Sequence, residues 1–262
     1  MRKIGIGIIG CGNISDAYLK AAPGFPVLEM IGVADINSSA AEAKAAAYGL
    51  SAMPLEALLA DHGIEIILNL TTPQNHVQVG LQAVAHGKHV YCEKPLATTL
   101  ADAERLISAA RNENVRVGCA PDTFLGGSHQ TARRLIDDGA IGTVVAGSAF
   151  MQVPGHELWH PNPDFYYKPG GGPLMDMGPY YLTCLVNLLG PVKSVVGHAN
   201  LRMKPGRSVP APGKLRGSTS RSRHMSPDCW NSQAALPYRS PPASMSGNMI
   251  TIISSSMARP VR

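Results

Sequence analysis

The sequence predicts an α/β fold whose first 120 residues form a doubly wound parallel sheet. Two observations lead to this prediction. Short apolar segments of strand length alternate with segments of helical pattern, and a glycine-containing turn follows the first apolar segment directly. Strands that alternate with helices are typical of a parallel sheet with helices on both faces. Ligands of such sheets bind at the carboxyl ends of the strands.

The first part of the pattern is a strand, a glycine turn, a helix, a second strand and an acidic residue. Residues 3–9 are rich in isoleucine and predict a buried parallel strand. A signal peptide is the alternative, but the apolar run is too short and no small-residue cleavage site follows it. Residues 13–22 predict a helix, and residues 27–34 predict the second strand, which Asp35 follows.

The alternation of helices and strands continues as far as residue 119. Further helices are predicted over residues 38–48, 55–60, 77–86 and 99–112. Further strands are predicted over residues 64–70, 88–92 and 115–119. Because parallel strands end at one edge of a sheet, the residues that follow these strands would share the edge that holds Asp35.

The turn after the first strand suits a dinucleotide. Gly10 permits a tight turn, and Gly12 lets the backbone approach a pyrophosphate. The helix that follows offers free N–H groups, at Asn13 and Ile14, and the positive end of its dipole. Asp35 could accept hydrogen bonds from ribose hydroxyls. The alternative is an ordinary turn in which Asp35 caps the next helix, since a glycine pair alone is a weak signal.

Five segments of the chain resemble the Gfo/Idh/MocA family of oxidoreductases. They are GCGNIS at 10–15, Asp35, TTPQNH at 71–76, EKP at 93–95 and GGGPLMDMGPYYLTCLVNLLGPV at 170–192. The segments occur in the family's order. The resemblance implies an NAD(P)-dependent sugar or polyol dehydrogenase, built from a Rossmann domain and a second α/β domain whose open sheet covers the active site.

The resemblance and the composition together predict three regions. Residues 1–120 form the dinucleotide-binding Rossmann domain. Residues 121–203 form only the first part of the substrate and oligomerisation domain, with a strand over 144–153 and a helix over 174–189, so that its open sheet is incomplete. Residues 204–262 form an aberrant, disordered tail.

Cofactor contacts are expected from the glycine turn, from Asp35 and from two later loops. The resemblance places Thr71, Thr72, Pro73, His76, Glu93 and Lys94 in these loops. His76 has a plainer interpretation as the first residue of a helix. The expected cofactor is NAD, because the carboxylate of Asp35 repels a 2′-phosphate. NADP is possible, since Asn37 and Ser38 could tolerate that phosphate.

The resemblance implies three catalytic residues. Lys94 matches the family's lysine that contacts nicotinamide and substrate, and Asp176 matches the aspartate of the family's D-x-G-x-H segment. The histidine of that segment falls on Tyr180, a phenol with an ordinary pKa of about 10 that would need a nearby cation, such as Lys94, to act as a base. Asp176 and Tyr180 are four residues apart and would share one helical face. The alternatives are a helix cap for Asp176, a core tyrosine for Tyr180 and a solvated lysine.

Three further residues are predicted to face the substrate, and no metal site is expected. Asp122 could bond a substrate hydroxyl, and a loop with Trp159 and His160 could stack on a sugar ring. His156 and His160 lie four apart around Glu157, as in a zinc motif. Prolines on both sides predict a loop there, whereas that motif requires a helix.

Composition excludes several classes of protein. No run of about 18 apolar residues occurs, so no membrane span is expected. The five cysteines show no metal-like spacing, which favours a reducing cytoplasm. The net charge of +5 arises wholly from residues 203–262, which hold nine Lys and Arg but one acid. Interleaved aromatic residues are nearly absent there, so no nucleic-acid partner is expected.

The tail after residue 203 does not continue the pattern of the family. It holds twelve Ser and eight Pro in 60 residues. Read one base out of frame, the codons of Asp228-Cys229-Trp230-Asn231 must give Leu-Leu-Glu, and Met249-Ile250 must give Asp. The restored string has the apolar alternation that the tail lacks. We therefore expect a single-base deletion near Val209, real or a sequencing error, and hence poor solubility and weak turnover.

The predicted function is hydride transfer between a nicotinamide cofactor and a secondary alcohol of a sugar or polyol. One alternative is a dinucleotide-binding protein without activity, and another is an NAD-dependent glycosidase, which the family also contains. The expected partner is a small sugar or polyol. A homo-oligomer is expected for the intact family fold, but less so for this chain, which lacks much of the pairing sheet.

Overall fold

A computed structural model describes residues 2–151, 166 and 170–197, and divides the chain into two compact units, Met1–Asp122 and Thr123–Arg262. The first unit contains six strands: β1 (Ile4–Ile9), β2 (Leu28–Ala34), β3 (Ser51–Ala52), β4 (Ile66–Asn69), β5 (His89–Cys92) and β6 (Val117–Cys119). It also contains five helices: α1 (Ser15–Ala21), α2 (Ser38–Tyr48), α3 (Leu55–Ala60), α4 (His76–Ala85) and α5 (Leu100–Asn112).

The six strands form one parallel sheet in the order β3-β2-β1-β4-β5-β6. The chain moves outward from β1 to β3, returns to the centre at β4 and moves outward again to β6. This order makes the edge between β1 and β4 a topological switch point, where doubly wound sheets bind ligands. The predicted fold class of the first domain is confirmed.

In the first unit, the predicted strands and helices lie within a few residues of the observed ones, and β3 is the strand that the sequence pattern missed. β3 has two exposed residues, Ser51 and Ala52, which pair with Gly32 and Val33 of β2. So short a strand carries no hydrophobic period of its own. Its backbone is extended because β2 offers an open edge to pair with.

Two clusters of buried side chains fill the two faces of the sheet. The first packs β1, β4 and β5 against α3, α4 and α5, and the second packs β1, β2 and β4 against α1 and α2. Successive residues of one strand alternate between them, so that Ile67 belongs to the first cluster and Leu68 to the second. Because both faces are covered, the central strands β1 and β4 are largely apolar.

A buried lysine ties the start of β5 to the loop before β4. Lys88 is 7% exposed, and its Nζ donates to the carbonyl oxygens of Asp61 at 2.7 Å and Ile64 at 2.8 Å. Its charge is therefore compensated by two main-chain oxygens. These bonds hold the loop that leads into the central strand.

We expect Lys88→Met to lower the free energy of unfolding by about 2–4 kcal/mol, because it removes the two charge-assisted hydrogen bonds of a buried lysine. Urea unfolding followed by circular dichroism measures the change. Lys3→Met, at an exposed lysine before β1, is the control and should stay within about 0.5 kcal/mol of the parent. Equal midpoints for the two variants would contradict this role of Lys88.

In its described residues the second unit contains two helices, α6 (Gly127–Asp137) and α7 (Pro173–Leu189). The helix predicted over 174–189 is confirmed, whereas α6 was not predicted. The strand predicted over 144–153 is wrong for residues 144–151, whose backbone is irregular, and its last two residues lie outside the described ones. A strand needs a partner, and no other described segment of this unit is extended beside it.

An arginine of α6 caps the carboxyl end of α7. The guanidinium of Arg133 donates to the carbonyl oxygens of Asn187 at 2.9 Å and Leu188 at 3.0 Å, and it also pairs with Asp137. A cation at this end of a helix satisfies its last carbonyls and opposes its dipole. Within the described residues, neither α6, α7 nor any other helix has the length and apolar character to cross a membrane.

Candidate functional site

The glycine turn follows β1, and the protein itself requires glycine at its first position. Gly10 has φ +104°, and its N–H donates to the carbonyl of Ala34 at 2.9 Å. A Cβ at Gly10 would lie 2.6 Å from the carbonyl carbon and oxygen of Leu70. Gly12 differs, because a Cβ there would have no atom within 4 Å and the residue is exposed. The space above Gly12 is therefore open to a ligand.

Helix α1 begins directly after the glycine turn and close to it. Asn13 precedes Ile14, the N-cap residue, which has no side-chain hydrogen bond to the helix. Ser15, in the place of a third glycine, is fully buried and donates from its hydroxyl to the carbonyl of Gly12 at 2.6 Å. The small side chain packs the turn against the helix. The amides of the first turn of α1 are thus placed next to Gly12, as a pyrophosphate requires.

The carboxylate of Asp35 faces the glycine turn from the end of β2. One oxygen accepts from the N–H of Cys11 at 2.7 Å, and the other accepts from the N–H of Asn37 at 2.8 Å. Helix α2 has Asn37, not Asp35, at its N-cap. Asp35 is therefore not the N-cap of α2. Burial, and then the charge of Asp35, raise the pKa of the Cys11 thiol to about 11, so this thiol is neutral.

A buried asparagine shapes the loop after β4. Asn69 is fully buried, and its side-chain oxygen accepts from the hydroxyl of Thr71 at 2.7 Å and from the N–H of Thr71 at 3.3 Å. Its amide donates to the carbonyl of His76 at 2.9 Å. Thr72 accepts from the Asn75 side chain at 3.1 Å, and Pro73 begins a short 3₁₀ turn. The sequence analysis missed Asn69, which a polar residue at the end of an apolar strand could have signalled.

His76 lies under this loop, with its ring turned away from solvent. The residue is 1% exposed. Its Nδ1 lies 2.7 Å from the carbonyl oxygen of Pro95, and its Nε2 lies 3.0 Å from the carbonyl oxygen of Thr71. Both ring nitrogens are therefore engaged by the main chain. This geometry leaves little of the ring for direct contact with a cofactor.

The turn that carries Lys94 follows β5 and is held from α1. The hydroxyl of Tyr18 donates to one carboxylate oxygen of Glu93 at 2.8 Å, and the other oxygen accepts from the N–H of Lys94 at 3.1 Å. The N–H of Glu93 donates to the carbonyl of Asn69 at 3.0 Å. The bond between Lys94 and Pro95 is cis. Glu93 thus orients the backbone of Lys94. Tyr18, which holds Glu93, is the second residue of this site that the sequence analysis missed.

Acidic and phenolic groups surround the ends of β5 and β6. Burial, followed by the charge of Glu93, raises the pKa of Tyr18 far above its usual range, and burial and the charge of Asp122 raise the pKa of Tyr91. Asp122 is exposed, at the start of a 3₁₀ turn. Burial also raises the pKa of Cys119 to about 11. These two phenols and this thiol are therefore neutral near pH 7.

The remaining predicted residues belong to the second unit. Asp176 and Tyr180 lie one turn apart on α7, and both are half-buried. Trp159 and His160 lie outside the described residues. Tyr181, the neighbour of Tyr180, lines a small apolar cleft with Leu174 and Met177. Within the part of the chain that the structure describes, no three His, Cys, Asp or Glu side chains are grouped to bind a metal.

Two family models match the chain in succession. One is described as the oxidoreductase family with an NAD-binding Rossmann fold and matches residues 4–120. The other is described as the GFO/IDH/MocA C-terminal domain and matches residues 129–221. The chain belongs to the Gfo/Idh/MocA family. Its first unit is therefore an NAD-binding Rossmann domain, as the glycine turn and Asp35 predicted.

Similar Gfo/Idh/MocA proteins act on sugars and related polyols. A dTDP-3,4-didehydro-2,6-dideoxy-alpha-D-glucose 3-reductase of Streptomyces antibioticus is 30% identical over 81% of this chain and 65% of its own length. An inositol 2-dehydrogenase of Rhizobium meliloti is 28% identical over 65% of this chain and 50% of its own. The crystal structure of the WlbA dehydrogenase of Bordetella pertussis, in complex with NADH and UDP-GlcNAcA, superimposes with a TM-score of 0.70. That structure is 25% identical over 79% of this chain and 64% of its own. The chain thus spans about half to two thirds of these proteins.

Proposed function

We propose that this Gfo/Idh/MocA protein is an NAD-dependent oxidoreductase acting on a secondary alcohol of a sugar or polyol, or on the corresponding ketone. The single observation that carries the proposal is the place of Lys94. It follows β5, at the same edge of the sheet as the glycine turn and Asp35, and Glu93 holds its backbone. An ammonium group at this edge can polarise the oxygen of a substrate that lies beside the nicotinamide.

The residues present fit the nucleotide part by part. The open space above Gly12 and the amides at Asn13 and Ile14 would hold the pyrophosphate, and Asp35 would bind the adenosine ribose. The loop of Thr71, Thr72 and Pro73 would border the nicotinamide side. When bound, the nicotinamide supplies the hydride chemistry. The protein then needs a group that exchanges a proton with the substrate oxygen.

We assign the exchange of a proton with the substrate oxygen to Asp176 and Tyr180, two side chains of α7. Tyr180 stands where the family's histidine is expected, and Asp176 lies one helical turn before it. A phenol can both donate and accept a proton, and a nearby cation would stabilise its ionised form. Asp122, together with Trp159 and His160, would contact the hydroxyls of the sugar. The relatives that act on sugars and on inositol support this class of substrate.

A direct experiment combines binding with turnover. The full chain is titrated with NADH and with NADPH by nucleotide fluorescence, then assayed with each cofactor against panels of sugars, sugar nucleotides and polyols. Reduction of NAD by at least one panel member is the expected result. Binding without turnover would favour a nucleotide-binding protein that lacks activity. NAD-dependent release of nitrophenol from nitrophenyl glycosides would favour a glycosidase instead.

Variants at the two adjacent tyrosines of α7 distinguish a catalytic role of the phenol from a packing role. We expect Tyr180→Phe to lower kcat by roughly 100-fold, because the proton acceptor is lost. Tyr181→Phe, at the residue that lines the apolar cleft, should keep kcat within about threefold. Steady-state kinetics on the panel substrate give both values. Similar losses in the two variants would contradict the assignment of Tyr180.

The preference for NAD over NADP is expected to depend on Asp35. A carboxylate beside the ribose repels a 2′-phosphate, and roughly 1.4 kcal/mol of repulsion corresponds to a tenfold preference. Asp35→Asn should therefore bring the Kd values for NADH and NADPH to within about threefold of each other. Glu29→Gln, an exposed acid at the opposite end of β2, should leave the preference unchanged. A wild-type chain that prefers NADPH would contradict this prediction.

We further propose that the reading frame changes near Val209. Basic residues, Ser and Pro are enriched from residue 203 onward, and a one-base shift forces Leu-Leu-Glu from residues 228–231 and Asp from Met249-Ile250. The Gfo/Idh/MocA match extends to residue 221, twelve residues after Val209. Reading the gene across codons 200–265 tests the proposal. A shifted frame that continues the family's sheet strands is expected, and its absence would refute the frame change.

We propose a reducing compartment for this protein. The four cysteines that the structure describes, Cys11, Cys92, Cys119 and Cys184, are free thiols, which supports a reducing compartment such as the cytoplasm. We propose a small sugar or polyol as the binding partner. Gel filtration with light scattering measures whether copies of the chain associate.

A further inference from the structure

The imidazole of His76 lies between two main-chain carbonyl groups. It is 2.7 Å from the Pro95 oxygen through Nδ1 and 3.0 Å from the Thr71 oxygen through Nε2. The residue is 1% exposed, so water does not compete for these contacts. The main-chain carbonyl of His76 in turn accepts from the buried amide of Asn69. His76 thus has fixed contacts through its ring and through its backbone.

The two carbonyl groups belong to different loops. Thr71 begins the loop after β4, and Pro95 ends the turn after β5. His76 itself is the first residue of α4. Its ring therefore joins both loops to the start of a helix that packs on the sheet. Lys94, next to Pro95, receives a second support from Tyr18 through Glu93.

We propose that His76 is a positioning residue, which sets the place of Lys94 by hydrogen-bonding the carbonyl group of Pro95. This inference rests on the proposed function of Lys94. The contact holds the residue after Lys94, and the carboxylate of Glu93 accepts from the N–H of Lys94 itself, so the lysine backbone is held on both sides. Misplacing a reacting group by about 1 Å costs on the order of 100-fold in rate, so such support has a measurable effect.

The chemistry of imidazole makes the two contacts unequal. A neutral ring has one N–H and can donate to one carbonyl oxygen, and only the protonated ring donates to two. The contact with Pro95 is the shorter of the two, which favours an N–H at Nδ1. The hydrogen bond to Pro95 is then present in the neutral ring.

Two variants separate the contacts. The side-chain amide of Asn reaches the position of Nδ1, and that of Gln reaches the position of Nε2. His76→Asn therefore keeps a donor toward Pro95, whereas His76→Gln keeps a donor toward Thr71. His86→Gln is the matched control, because His86 lies just after the other end of α4 with an exposed ring that contacts Gln82.

The environment of the Lys94 side chain is measured by NMR, which does not depend on enzyme activity. Lysines of the full chain are dimethylated with ¹³C-formaldehyde, and the signal of Lys94 is assigned by its loss in Lys94→Arg. We expect His76→Gln to shift this signal and to lower kcat by about tenfold or more, with the Kd for NADH within about threefold of the wild type. His76→Asn and His86→Gln should retain the signal and keep kcat within about threefold.

Several results would overturn the proposal. One is a wild-type Lys94 signal and kcat in His76→Gln, and another is equal effects of the Asn and Gln variants. If the Gln variant does not fold, the wild-type protein provides the test. Its ¹⁵N spectra should show an N–H at Nδ1 of His76 that is protected from exchange with solvent. A His76 ring with no N–H at Nδ1 would contradict the proposal. Failure of the proposed function would give a different result. In that case Lys94→Met would leave turnover unchanged, whatever the His76 variants do to the Lys94 signal.

Discussion

Gly10→Ala will unfold the nucleotide-binding unit, whereas Gly12→Ala will leave it folded and weaken its binding of NADH. At Gly10 an added methyl would meet the Leu70 carbonyl group at 2.6 Å, and φ is +104°, which an L-residue rarely adopts. Close overpacking and backbone strain each cost about 1–3 kcal/mol, so we expect a loss of about 2–6 kcal/mol. That loss is comparable to the whole stability of many domains.

Gly12→Ala is expected to weaken the binding of NADH and to leave the stability of the fold nearly unchanged. An added methyl would have no protein atom within 4 Å, so the free energy of unfolding should change by less than about 1 kcal/mol. The methyl would occupy the space through which the pyrophosphate approaches the backbone, and the Kd for NADH should rise by about tenfold or more. Urea unfolding and NADH fluorescence titration measure the two effects separately.

The two glycines serve as controls for each other. A stable Gly10→Ala variant would show that the turn can move away from Leu70, against the tight packing described above. NADH binding at wild-type strength by Gly12→Ala would mean that the pyrophosphate does not lie over this turn. Either result would be visible even if the chain has no turnover, since neither measurement uses a substrate.

Lys94→Met will lower kcat by about 100-fold to 10,000-fold while leaving the Kd for NADH within about threefold of the wild type. The substitution keeps an unbranched side chain that matches the stem of lysine as far as Cε, and it removes the ammonium group. The lysine's backbone is held by Glu93 through its N–H, a contact that does not depend on the side chain. The variant should therefore fold normally and lose the group that we propose polarises the substrate oxygen.

Kinetics on the panel substrate and fluorescence titration with NADH test this pair of outcomes. Lys20→Met, at an exposed lysine in the last turn of α1, is the matched control and should behave as the wild type. A small change in kcat for Lys94→Met would remove the central residue of the proposed mechanism. A large rise in the NADH Kd with little change in kcat would instead make Lys94 a cofactor-binding residue.

Local pattern was sufficient to predict the nucleotide-binding edge of the sheet. Apolar strand segments, the glycine turn and Asp35 are close in sequence, and a parallel sheet brings the ends of its strands to one edge by geometry alone. The positions of Gly10, Asp35 and the Lys94 turn at this edge could therefore be predicted from the sequence. The helix over residues 174–189 was predictable for a similar reason, because its apolar period is long.

Contacts between distant segments were not predictable in this way. Tyr18 and Glu93 are 75 residues apart, and nothing in either segment specifies that a phenol of α1 will hold the turn after β5. The strand expected over residues 144–153 was wrong where it is described, because apolar character does not supply a pairing partner. The short β3 was missed for the opposite reason, since its conformation depends on the edge of β2.

The sequence alone was enough to predict most strands and helices of the first unit, the place of the dinucleotide turn and the types of residue available for chemistry. Only the tertiary structure decided how those residues are held: Asp35 toward Cys11, Asn69 under the Thr71 loop, and His76 between two loops. The physical reason is that hydrophobic period and turn chemistry act over a few residues. Hydrogen bonds between buried groups depend on which segments the sheet brings side by side.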